Sequence, residues 1–146
     1  MRIEESIEIA RPAEEVWKFL AEPANDPQWC RKVKSVEEAG QGRWKVLHKP
    51  VPLRPPIELT LRQLELDPPS RLTMRQEDES SVFEVEYRLE PVTAGTQFRQ
   101  ISDFEWKSLP RFLQSTFARG VRRDVQGQLR DLKALLERPL VTPKAN

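Results

Sequence analysis

The chain has 146 residues, 38% of them hydrophobic and 32% charged, with a formal net charge of +1. That length suits one domain around a single core, and the composition excludes a disordered chain. No apolar run approaches the ~18 residues of a membrane span, so no stable membrane insertion is expected. The small net charge argues against nucleic-acid binding. The one cysteine, Cys30, excludes an internal disulfide framework. With no signal-like apolar segment near Met1, these features predict a cytoplasmic protein.

Taken in chain order, Ile3, Ile7 and Ile9 share a parity that Glu4 and Glu8 do not, which predicts a strand with one wet face. Pro12 suits the first turn of a helix, and Val16, Trp17 and Leu20 form its apolar stripe, with Glu14 and Glu15 at its positive end. Pro23 stops that helix. Asn25-Asp26-Pro27 then caps a second short helix carrying Trp29. Strand signals follow over Val33–Ala39 and Arg43–His48, flanking the turn Gly40-Gln41-Gly42. Residues 49–56 hold four prolines and read as a stiff loop. Ile57, Leu59 and Leu61 alternate with polar residues, and Asp67-Pro68-Pro69-Ser70 breaks the chain before a short strand, Leu72–Gln76. Phe83, Val85, Tyr87 and Leu89 alternate with Glu84, Glu86, Arg88 and Glu90, the clearest one-sided strand in the chain. Thr93-Ala94-Gly95 turns into a long strand, Thr96–Trp106.

At Pro110 the apolar period changes from two to three and four. Phe112, Leu113, Phe117, Val121, Val125, Leu129, Leu132 and Leu136 predict one helix of about 26 residues, roughly 39 Å long, within Pro110–Arg138. A set of antiparallel strands, each dry on one face, together with one long amphipathic helix, packs as two layers. The expected fold is therefore α+β: a curved antiparallel sheet of about six or seven strands around a long C-terminal helix, with two short helices after the first strand. The domain is placed at residues 1–138, with 139–146 as a flexible tail. Charge is uneven along the chain. Residues 109–146 contain eight Lys/Arg against three Asp/Glu, and residues 51–108 contain seven against eleven. A basic helix lying on an acidic sheet accounts for this, and an anionic ligand near the helix is the alternative.

Several of these stretches together resemble the SRPBCC superfamily, the START and polyketide-cyclase-like helix-grip proteins. They are Ile7-Glu8-Ile9, Pro12-Ala13-Glu14-Glu15-Val16-Trp17, Pro27-Gln28-Trp29, Gly95-Thr96, and the helix end from Leu129 to Glu137. The resemblance implies a hydrophobic cavity between sheet and long helix. It carries no catalytic residue onto this chain, because the motifs mark the fold and members differ in function. Three functions stay open: binding of a hydrophobic small molecule, a polyketide cyclase/dehydratase-like enzyme, and a protein-interaction module.

No metal, nucleotide or hydrolase motif occurs, so neither metal nor cofactor is expected. His48 is the one neutral-pH acid/base candidate and shares parity with Trp44 and Val46; Tyr87 is the second candidate. On the last strand Phe98, Gln100, Ser102, Phe104 and Trp106 share one parity, which sets a buried amide and hydroxyl among aromatics. The expected ligand-binding set is Trp44, His48, Phe83, Val85, Tyr87, Gln100, Ser102, Phe104 and Trp106 from the sheet, with Leu113 and Phe117 from the helix. A surface histidine and a core tyrosine are the plainer readings of the two titratable candidates.

Overall fold

A computed structural model describes residues 1–49, 52–106 and 109–138, with the side chain of Trp106 outside that description. Strand β1 (Arg2–Ile9) leads into helix α1 (Ala13–Leu20) and a short 3-10 helix (Pro23–Gln28). Strands β2 (Val33–Gly40), β3 (Arg43–His48), β4 (Ile57–Asp67), β5 (Arg71–Glu77), β6 (Ser81–Val92) and β7 (Gly95–Trp106) follow, and helix α2 (Arg111–Leu136) closes the fold. All seven strands form one antiparallel sheet in the order β1-β7-β6-β5-β4-β3-β2. The expected α+β helix-grip is the fold observed. The tail expected over 139–146 lies outside the described residues.

The period-two pattern fixes which face meets the helix. Ile3, Ile7 and Ile9 stand opposite Ser102, Phe98 and Thr96. These in turn neighbour Val85, Leu89 and Pro91. The β6–β7 register runs without a bulge from Val92–Gly95 to Ser81–Trp106, so Phe98, Gln100, Ser102 and Phe104 do share one face. That face forms the core with α1, the 3-10 helix and the later part of α2. Trp29, Phe98, Leu61, Leu72 and Leu132 are almost fully buried there. Strand β2 departs from the expectation that every strand has a dry face. It is the sheet edge, and only Val33 and Val36 are half-buried.

The turn into β7 requires its glycine. Gly95 has φ +149°, and a Cβ there would stand 2.2 Å from the Ile9 carbonyl oxygen and 2.9 Å from Arg11 N. The β1–α1 corner presses on this turn, held by a 2.7 Å hydrogen bond from the Thr96 hydroxyl to the Arg11 carbonyl.

Two local readings change. The second short helix ends before Trp29 rather than carrying it. Pro23 starts a 3-10 turn directly, and Glu22, not Asn25 or Asp26, is the N-cap, accepting from Ala24 N at 3.4 Å. The long helix is one unbroken element, but its first half does not bury its stripe. Phe112 is 78% exposed, Phe117 46% and Leu113 39%, whereas Val125, Leu129 and Leu132 are buried. Its second half is stapled to the start of the chain. Lys133 donates to the Glu8 carbonyl at 2.7 Å, Arg11 to the Leu136 carbonyl at 2.8 Å, and Ala10 N to the Glu137 carboxylate at 2.8 Å. A helix this long overhangs the strands it packs on once one end is pinned.

Candidate functional site

Beneath residues 117–128 of α2 a cavity of about 250 Å³ opens between helix and sheet. Its sheet side is made where three strands end or begin: His48 closes β3, Ile57 opens β4, and Ser81 and Phe83 open β6. Its helix side is Phe117, Val121 and Val125, followed by Asp124 and Gln128. Lys32, just before β2, completes it by forming a short ion pair with Asp124 across the rim. The lining is mainly apolar, with its charge gathered at that one end.

His48 is the distinctive group. It pairs with Ile57 on one side and Val33 on the other, so the strand register aims it at the helix. Burial lowers its pKa below the usual 6.5, the Lys32 ammonium adds to that, and Asp124 opposes it. At neutral pH the ring is therefore uncharged. Its Nδ1 is buried without a protein partner among the described residues. A neutral imidazole with one ring nitrogen free can accept a proton or orient a polar ligand atom. Among the described residues no group of three His, Cys, Asp or Glu gathers in a way that would hold a metal ion.

The cavity brings together His48, Phe83 and Phe117 of the expected set. Trp44, Val85, Tyr87, Gln100, Ser102, Phe104 and Leu113 do not line it, and the side chain of Trp106 lies outside the described residues. Trp44 is buried in the core, opposite Leu61 across the β3–β4 register. Tyr87 packs edge-on to Phe98 at 5.2 Å and tilted against Trp29 at 6.1 Å, and burial pushes its phenol well above the usual range. Gln100 and Ser102, each 6% exposed, are tied to each other, with the Gln100 amide donating to Ser102 Oγ at 3.3 Å. Phe104 packs at a tilt on Phe83, a residue of the cavity wall, with ring centroids 6.1 Å apart. Val85 is half-buried against the core, and Leu113 sits outward on the helix. Parity agrees with the face taken by the described strand residues of the set, but a face seven strands wide is mostly packed core.

Sequence reasoning did not single out Lys32, Ile57, Ser81, Val121, Asp124, Val125 or Gln128 as site residues. One signal was available. Asp124 and Gln128 fall in phase with Phe117, Val121 and Val125, so a carboxylate and an amide interrupt the apolar stripe where it meets the cavity.

A second buried polar group lies deeper. Asp26 is 5% exposed, and desolvation raises its pKa from 3.8 to about 7. The Trp29 indole opposes that shift without closing a hydrogen bond of ordinary geometry, and Glu22 adds to it. The neighbouring Cys30 thiol is pushed well up by burial and then by the charges of Asp26 and Asp131, so it is no ready nucleophile.

Solved structures with the same fold share little sequence with this chain. An aromatase/cyclase from a Streptomyces species superposes with TM-score 0.77 at 20% identity, covering 100% of this chain and 99% of that one. A Thermus thermophilus protein gives 0.78 at 16%, covering 93% and 97%. The di-domain ARO/CYC BexL gives 0.72 at 26%, covering 92% of this chain and 45% of its own. No curated protein matches the sequence. The family model described as polyketide cyclase / dehydrase and lipid transport matches residues 1–137. The chain belongs to the polyketide cyclase/dehydrase and lipid transport family.

Proposed function

We propose that the protein binds a small apolar molecule with an aromatic body in the cavity beneath residues 117–128 of α2. The observation that carries this reading is an apolar cavity of about 250 Å³ with the unpartnered Nδ1 of a neutral histidine buried at its wall. Burial of the ligand's apolar surface supplies the affinity, at about 25 cal/mol per Å². His48 and Ser81 set its orientation, since few polar groups in a mostly apolar pocket are what fixes a ligand's pose. The family description and the aromatase/cyclase relatives support a hydrophobic, polyketide-like or lipid-like ligand. N-phenylnaphthylamine, an uncharged aromatic dye, tests this. One dye is expected to bind per chain with rising fluorescence, and Val121→Trp, which fills the cavity, to abolish binding without loss of fold. Unchanged dye binding by that variant would place the dye elsewhere and refute the reading.

A second reading, a cyclase/dehydratase-like enzyme, is favoured by the state of His48. A neutral imidazole in an apolar pocket is a competent general base, because burial keeps it uncharged at neutral pH and its charged form is formed only in the reaction. In a dehydration, His48 takes the proton from the carbon next to a carbonyl. It returns that proton to the departing hydroxyl, so one water leaves and the imidazole is restored. Lys32 stands near enough to His48 to depress its pKa, and it stabilises negative charge developing on the carbonyl oxygen. The test is dehydration of a β-hydroxyketone probe. Wild type is expected to catalyse it and His48→Ala to lose turnover while still binding the dye. Equal turnover by both proteins would remove the enzyme reading and leave the binding one.

A further inference from the structure

A second, charged cleft of about 320 Å³ lies directly beside the apolar cavity, between residues 31–32 and α2. The two spaces share Lys32, Asp124 and Gln128 as a common wall, so only the Lys32–Asp124 ion pair and one amide separate an apolar interior from a polar exterior. The cleft adds Arg31, Arg123 and Arg130 as cations and Asp131 as its second carboxylate. Both carboxylates are already matched, Asp124 to Lys32 and Asp131 to Arg31 at 3.0 Å. Arg123 and Arg130 have no carboxylate partner among the described residues. Four cations against two carboxylates leave an excess of two positive charges.

The helix is shaped for this space. Arg123 and Arg130 lie seven residues apart on one face, about 10 Å along the axis. Gly127 sits between them, where its missing side chain leaves the floor of the cleft open. A Cβ added there would meet only the Arg130 guanidinium, at 3.9 Å. Glycine is a poor helix former, so helix propensity gives no reason for it. Guanidinium groups are suited to carboxylate and phosphate oxygens, which they can bind through two donors at once.

We propose that the natural ligand is an amphiphile with an anionic head. Its apolar body occupies the cavity, and its carboxylate or phosphate lies in the cleft between Arg123 and Arg130, with Lys32 at the junction. This rests on the binding reading above and goes further by assigning the ligand's charge and the place where the charge is held.

Two dyes that differ by one sulfonate test it: anilinonaphthalene sulfonate and the uncharged N-phenylnaphthylamine. Wild type is expected to bind the sulfonate dye about tenfold or more tightly, the usual worth of hydrogen bonds to a charged group. In the Arg123→Gln/Arg130→Gln double variant that advantage is expected to vanish while the uncharged dye binds as before. Displacement by decanoate, decyl phosphate and decanol then separates the carriers of the charge. Either acid outcompeting the alcohol supports the proposal and identifies the head group, and an alcohol as effective as both acids overturns it. Equal binding of the two dyes by wild type overturns the head-group assignment alone. A sulfonate advantage that survives in the double variant overturns the cleft. If neither dye binds, the cavity reading falls and the proposal falls with it.

Discussion

Replacing Asp26 with Asn should make the protein more stable at alkaline pH than at acid pH relative to wild type. The carboxyl is 5% exposed, and its pKa rises from 3.8 to about 7 on folding, chiefly through desolvation. That is a shift of about 3 pH units, and at 1.36 kcal/mol per unit it corresponds to about 4 kcal/mol. The folded pKa lies above the unfolded one, so the neutral acid's contribution is fully present below pH 3.8 and is lost as pH rises to about 7. Above that the folded protein carries a buried carboxylate, with Glu22 repelling it and the Trp29 indole only partly compensating. The neighbouring Cys30 and Tyr87 stay neutral across this window, because burial pushes both well up. His48 titrates in both proteins and cancels in the difference. The assay is urea unfolding of wild type and Asp26→Asn between about pH 4 and about pH 9. The variant's stability relative to wild type should rise by up to about 4 kcal/mol across that range. A constant offset reflects how well the Asn amide is accommodated and does not bear on the reasoning. A difference that is flat with pH, or that moves the other way, would refute it.

Other outcomes follow from the same geometry. Gly95→Ala should cost about 3 kcal/mol or more and show as a large fall in Tm, since it combines positive-φ strain with a clash against the Ile9 carbonyl. Gly120→Ala should raise stability by about 0.5–1 kcal/mol in urea unfolding, because the position is helical and open space surrounds it. Phe117→Ala should lower N-phenylnaphthylamine affinity while costing well under the ~3 kcal/mol of a fully buried ring, as the side chain is 46% exposed. Ser102→Val should leave dye affinity unchanged. It should cost about 1–3 kcal/mol of unfolding free energy, since the buried Gln100 amide loses its acceptor.

The sequence revealed the fold far better than the site, for a physical reason. A strand's period-two pattern reports which face is dry, and seven such strands with one long amphipathic helix leave few ways to close a core. The same pattern cannot distinguish a packed interior from an empty one. Tyr87, Gln100 and Ser102 lie on the inner face as their parity requires, yet they are held by Phe98, Trp29 and each other rather than by space. Leu113 and Phe117 belong to the stripe, but the bonds that tie α2 to the backbone of the chain's start are at Lys133, Leu136 and Glu137. Apolar period carries no record of where a helix is pinned. His48 could be picked out because it is the only histidine and shares the parity of Trp44 and Val46. Lys32 and Asp124 could not be picked out as a pair, because 92 residues separate them and each alone looks like an ordinary surface charge.

We propose that the ligand space lies between residues 117–128 of α2 and the ends of β3, β4 and β6. Intermolecular nuclear Overhauser contacts in the complex with N-phenylnaphthylamine test it most directly. The dye's ring protons should contact Phe83, Phe117, Val121 and Ile57, with the His48 ring shifted on binding. Contacts instead to the exposed Leu64 and Leu66 on β4, with Phe83 and Val121 silent, would contradict it.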